Sequence, residues 1–284
     1  MASGWLSRRS KSGSGLGVLF WLGVAWLVIV FFCAAFGWVL PLPDPNRVSP
    51  KDALDPVLTS GHLLGTDPLG RDILARVVAG ARVSVFISVV AVTTGVVIGG
   101  LIGTTVGYRK GILERVTMII TNILLSFPSL ILLLGVIGMV GPSLKTITSV
   151  IAILSIPGYI RFARAGALGL SSEGYVHAAE MFGTKRRHIV LNELIPNVVP
   201  TLMTFGLLAL GGVIVAEGTL AFLGLSIPPP TATWGSMIAE GKGVIDRALH
   251  VAIVPATVMF LTVLSLNLVG DGLRRHFDVR EVRI

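Results

Sequence analysis

The side chains that bear on chemistry here are the few polar ones set inside long apolar runs. Asn122 and Ser126 lie in one run, Glu217 closes another, and Asn267 with Asp271 closes the last. Polar and ionisable groups at membrane depth face a bundle interior or a wet cavity, or they pair locally. Glu217 is therefore a candidate for a solute pathway, together with Asn122 and Ser126, or else an interfacial residue that caps or pairs nearby. No carboxylate or histidine pair sits mid-run, so a proton relay lacks its groups. The only lysine preceded by glycine is Lys242, which Gly243 follows, so the phosphate-cradling loop Gly-x-x-x-x-Gly-Lys-Ser/Thr is missing. His62, His177, His188, His250 and His276 are scattered, Cys33 is alone, and no serine has a nucleophile-elbow context. The sequence holds no catalytic constellation, no metal set and no cofactor motif.

The elements that must position these residues are membrane helices. Of 284 residues 53% are hydrophobic and 13% charged, about half the roughly 25% charge of a soluble domain. Mean hydropathy is +0.84. A hydrocarbon core about 30 Å thick takes about 20 apolar residues of helix. Six runs answer: Leu16 to Leu40, Val83 to Val106, Val116 to Val140, Leu144 to Ile160, Val198 to Ala216 and Val251 to Val269. The first carries Trp21, Trp26 and Trp38 and ends in Pro41-Leu42-Pro43, which reads as a retained anchor rather than a cleaved signal. Gly95, Gly99, Gly103 and Gly107 recur every four residues in the second run and predict a close helix crossing. Pro128, Pro157 and Pro255 fall within other runs, where each can kink a helix.

The net charge of +8 is explained by where the cations sit. With six spans alternating, the inner segments collect Arg8, Arg9, Lys11, Arg109, Lys110, Arg115, Arg161, Arg164, Lys185 to Arg187 and four arginines from Arg274 onward, 15 of the 23 Lys and Arg. The rule that inner loops are basic then places both termini in the cytoplasm and removes the case for nucleic acid. The chain divides into an inner segment 1–15, a first span 16–40, an outer loop 41–82, a five-helix core 83–273 and an inner tail 274–284. In the outer loop, Ile73, Leu74, Val77 and Val78 beside Arg71, Asp72 and Arg76 predict an amphipathic helix lying on the outer surface. The core contains a long inner loop, 161–197, whose composition predicts short helices.

Four stretches carry a resemblance. Glu173-Gly-Tyr-Val-His-Ala-Ala-Glu-Met-Phe-Gly183, with Ile189 and Leu194-Ile-Pro-Asn197 after it, resembles the EAA loop of permease subunits of ATP-binding cassette importers. His62-Leu-Leu-Gly-Thr-Asp-Pro-Leu-Gly-Arg-Asp72, Phe222-Leu-Gly-Leu-Ser-Ile-Pro-Pro-Pro230 with Trp234-Gly235, and Asn267-Leu-Val-Gly-Asp-Gly-Leu-Arg274 are similar to motifs of the dipeptide, oligopeptide and nickel branch. The resemblance implies an all-α polytopic protein with six transmembrane helices, the type I importer permease fold and a cytoplasmic coupling helix. It is closest to the C-type subunit of a permease pair in a bacterial inner membrane. It implies a homologous second permease, two ATPase subunits that use ATP and magnesium, a solute-binding protein outside and a bilayer around. The cargo it implies is a dipeptide or oligopeptide, with haem or nickel chelates as alternatives. Tyr175, Val176, His177, Ala178, Ala179, Glu180, Gly183 and Ile189 would form the ATPase-coupling element, and His177 stands where the family usually has Glu. An ATPase-independent carrier or channel, or an exporter subunit, is the alternative.

Overall fold

The computed structural model describes residues 17–281, with side chains through Arg275. The segment 1–15, with Arg8, Arg9 and Lys11, and the end of the tail at 282–284 lie outside the described residues. The described chain is helical throughout apart from its loops, as hydrocarbon demands of a spanning backbone. Helices α1 (Val18–Phe36), α2 (Ile73–Arg109), α3 (Gly111–Ser126), α4 (Ser129–Val140), α5 (Leu144–Leu170), α6 (Gly174–Met181), α7 (Arg186–Phe222), α8 (Trp234–Lys242) and α9 (His250–Glu281) follow in order. Five of these are long and apolar enough to span, and the number is six when the bent pair α3 and α4 is taken as one broken span. One end of the bundle gathers the C-termini of α2, α5 and α9 with α6 and the N-terminus of α7. It carries Arg109, Arg161, Arg164 and Lys185 and is called the basic end below.

Two expectations change. The stretch from Arg71 to Arg82 is not a separate surface helix; from Ile73 it forms the first turns of α2. Asp72 caps that start, its Oδ1 accepting from the Ala75 amide at 2.7 Å. Ile73 and Val77 pack with Ala232, Met237 and Val251, so the apolar stripe meets protein rather than lipid headgroups. The third span is also not one rod. Phe127 is extended before Pro128, as the residue preceding proline prefers, and α3 and α4 meet at 82°. Pro157 and Pro255 sit inside α5 and α9 without ending them. The helices α5 and α7 outrun the apolar runs that announced them, because helix propensity continues where hydropathy stops.

The middle of the bundle is the crossing of α2 and α5. Gly95 lies under the Tyr159 ring. A Cβ on Gly99 would sit 2.6 Å from the Tyr159 Cβ, one on Gly103 2.8 Å from the Ala163 Cβ, and one on Gly107 2.9 Å from the Arg164 carbonyl. The four glycines thus let two backbones touch along one ridge, and α2 loosens into a π-helical turn over Gly95–Gly99. Around it Leu27, Val85, Val92, Tyr159, Leu202, Trp234 and Leu266 form the largest buried cluster. Trp26 ties α1 to α9, its Nε1 donating to Thr262 Oγ1 at 3.1 Å. Gly103→Ala is expected to cost about 1–3 kcal/mol by overpacking, while Gly138→Ala, whose Cβ would meet nothing within 4 Å, should be neutral. Thermal unfolding of the two variants in detergent checks the difference.

Candidate functional site

The basic end presents the loop between α5 and α7. Helix α6 is only eight residues long, too short to hold itself in water, so it depends on anchors. Val176 is wholly buried and packs in a small cluster with Ile189, Val190 and Leu194, edged by Tyr108, Leu170 and Ala179. The second anchor is polar. The Tyr108 hydroxyl at the end of α2 donates to Glu180 Oε1 at 2.8 Å. That bond, with His177 beside it, holds the Glu180 carboxyl below the usual carboxylate range. His177 Nδ1 lies 3.5 Å from Glu180 Oε2, so it pairs within α6 along one helix face.

The end of α6 is a closed turn. Gly183 has a φ of +72°, the Thr184 amide reaches the Ala179 carbonyl and the Gly183 amide that of Glu180, both at 3.0 Å. These are the paired bonds of a helix terminated by a left-handed residue. The turn projects Met181 and Phe182, which are 88% and 89% exposed, beside exposed Tyr175, His177 and Ala178. Ala179 is half-buried and Ile189 lies underneath. Two large apolar side chains held bare beyond the spans, next to Lys185, Arg186 and Arg187, mark a contact surface rather than a reactive centre. Behind it, Arg164 bridges to Glu114 at 2.7 Å and Arg161 donates to Asn122 Oδ1 at 2.8 Å, tying α3 to α5.

The opposite end holds a knot of charge. Asp67 Oδ2 accepts from Arg71 Nε at 2.5 Å and lies 3.3 Å from Arg76 Nε. Glu240 on α8 accepts from Arg71 Nη2 at 2.8 Å and from Arg76 Nη2 at 3.2 Å. His62 Nδ1 meets the second oxygen of Asp72 at 2.8 Å. Arg76 is 1% exposed, so this ring clips the loop between α1 and α2, the start of α2 and α8 together. The amphipathic pattern sets Arg71 and Arg76 beside a surface helix and gives Glu240 no role beyond one of the loop acids; the structure buries both arginines against it. The spacing of Asp67 and Arg71 was the one local sign; Glu240 lies more than 160 residues away, with nothing in its surroundings to mark it.

The three polar pathway candidates do not converge. Asn122 and Ser126 lie one turn apart on the exposed face of α3, and Ser126 Oγ donates to the Ile123 carbonyl at 2.7 Å. Glu217 is 2% exposed, inside the bundle, with Ser84 Oγ at 3.4 Å and Oε1 without a partner among the described residues. Ser84 also accepts from the Trp234 amide at 3.3 Å. Glu217 thus stands where α2, α7 and the start of α8 meet. Among the described residues, no group of three or more His, Cys, Asp or Glu is placed to hold a metal.

A helical bundle of apolar spans with a contact loop at its basic end is the form of a transport permease. Residues 95–283 match the family described as the inner membrane component of binding-protein-dependent transport systems, and the chain belongs to that family. It is similar to the glutathione transport system permease protein GsiD of Escherichia coli O1:K1, 36% identical over 253 residues, covering 89% of this chain and 83% of the relative. The proteins of the same name from Shigella boydii serotype 4, at 36%, and Shigella flexneri serotype 5b, at 37%, match over the same shares. The chain is therefore a multi-span permease subunit of a bacterial importer of the ATP-binding cassette class. Such a subunit works with a partner permease, ATPase subunits and a solute-binding protein.

Removing one member of the buried knot leaves opposing charges uncompensated, and Arg76→Ala is expected to cost about 3–5 kcal/mol. Arg82→Ala, on an exposed position about two and a half turns into α2, should change stability little. Melting temperatures of the two purified variants check the contrast.

Proposed function

We propose that this permease forms half of the translocation path for short peptides and is driven by ATPase subunits seated on α6. Both termini and the basic end face the cytoplasm, in keeping with 15 of 23 Lys and Arg on the inner segments. The chain itself binds no nucleotide; ATP and magnesium belong to the ATPase partners. The peptide class is supported by the likeness to proteins named for glutathione transport, since glutathione is a tripeptide. Haem and nickel chelates are the other cargo of this reading. Solute arrives from the binding protein and crosses between the paired permeases by alternating access.

The observation that carries the coupling role is the exposed Met181–Phe182 pair on a helix tied back through Val176 and Glu180. A push on that knob is delivered to the end of α2 through Tyr108 and to the start of α7 through Ile189 and Leu194. Ala178 and Gly183 leave room for close approach, and His177 occupies an exposed docking position.

Ala178→Arg and Gly183→Arg are expected to abolish ATP-dependent uptake of labelled dipeptide or glutathione by the reconstituted complex, with membrane insertion unchanged. His177→Glu should be tolerated. Wild-type uptake by both arginine variants would remove α6 from the mechanism.

A further inference from the structure

The end of α1 opposite the basic end leaves a cavity of about 310 Å³ between itself and the start of α2. Its floor is one face of α2, where Ala75, Val78, Ala79 and Arg82 recur at helical spacing. The two helices approach closely at one side, where a Cβ on Gly37 would sit 2.5 Å from the Val78 Cγ1. Trp38 stands in the wall and Asp44, from the segment that follows, at the rim.

Depth limits what can reach this cavity. The span Val18–Val39 has 22 residues, about 33 Å of helix against a hydrocarbon core of about 30 Å. Its far end, where Gly37–Val39 form a 3-10 turn, therefore lies at the boundary between tails and headgroups. Trp38 is 75% exposed there, and its Nε1 donates to the Ala35 carbonyl at 3.2 Å. That is the level at which indoles anchor a span. Helix α1 is also the least covered of the five unbroken spans, and its bare apolar face runs from Leu22 through Ile29 and Phe32 to Phe36, beside the cavity.

The cavity carries one charge of each sign. Arg82 is exposed and makes no hydrogen bond or ion pair among the described residues. Asp44 accepts from the Asn46 amide at 2.9 Å and is in no ion pair among them. Arg71 and Arg76, by contrast, are enclosed by Asp67 and Glu240. The anion met at headgroup depth is a phosphodiester, which the planar fork of an arginine matches with two hydrogen bonds. A carboxylate beside it opposes a headgroup of net negative charge and favours one that brings its own ammonium. Ligand cavities run from about 300 to 1,000 Å³, so this one takes a headgroup and glycerol while the tails stay in the bilayer along α1.

We propose that this cavity binds one phospholipid with an ethanolamine headgroup, its phosphate on Arg82 and its ammonium on Asp44. The site does not depend on which face of the membrane is cytoplasmic.

The test is native mass spectrometry of the chain purified in mild detergent with its co-purifying subunits, stripped of lipid and titrated with dioleoylphosphatidylethanolamine or dioleoylphosphatidylglycerol. Wild type is compared with Arg82→Ala, Arg82→Lys and Asp44→Asn, so that lipids held elsewhere cancel. Arg82→Ala is expected to lose one ethanolamine lipid per chain, with loading weakened about tenfold or more by the loss of charge-assisted hydrogen bonds. Arg82→Lys should restore part of it, and Asp44→Asn should turn the preference towards the glycerol lipid. Unchanged loading in Arg82→Ala, or equal loading of both lipids by wild type at the site which that variant removes, would overturn the proposal. So would benzoylphenylalanine placed at Trp38 that cross-links in membranes to the second permease and not to lipid.

Discussion

Hydrocarbon offers a folding chain neither hydrogen bonds nor a reason for apolar helices to prefer one another over lipid. Both deficits shape this protein. The first forces the spans to be helical; the second leaves association to close contact, which here is the meeting of Gly95, Gly99, Gly103 and Gly107 with Tyr159, Ile160 and Ala163. Because that ridge brings α2 and α5 into backbone contact, the remaining helices have a fixed frame to pack upon. Van der Waals attraction summed along it does what hydrophobic burial does in a soluble core.

The two ends of the frame are built differently. At one, Asp67, Arg71, Arg76 and Glu240 form a closed and largely buried ring that pins α8 to the loop between α1 and α2. A buried ring of this kind tolerates little displacement, since each broken pair leaves a charge uncompensated. At the other, α6 is held by one valine, one tyrosine hydroxyl and a turn, and it shows its largest apolar side chains to solvent. A lightly anchored helix can move as a unit when a partner pushes it. The stiff end and the movable end are joined by α2, which runs the whole way and has a π-helical turn at its middle.

Between them, the broken third span departs from the rule that spanning backbone satisfies itself. Elsewhere in the described membrane segments the helices run on unbroken, even through Pro157 and Pro255, where each proline withholds one backbone donor. The exception falls on the element least covered by its own chain, as it would where another surface or a wet space takes over.

Much of this was legible in the residues. Six apolar runs and the four-residue glycine repeat describe a bundle and its closest crossing, because hydropathy and helical spacing are properties of neighbours in sequence. Arg71 to Arg82 shows the limit: an apolar stripe beside arginines has the same pattern on a membrane surface as at the buried start of a span. What decides between them is Glu240 and Trp234, brought in by α8 from the far end of the chain. The angle at Pro128 likewise cannot be read from a proline, since Pro157 and Pro255 stand in helices that run on. The sequence by itself determined that the chain crosses a membrane, which segments do so and to which family it belongs. Only the tertiary structure decided which arginines are buried, which polar residues share a surface and where the backbone is left bare, because each depends on partners that local pattern does not contain.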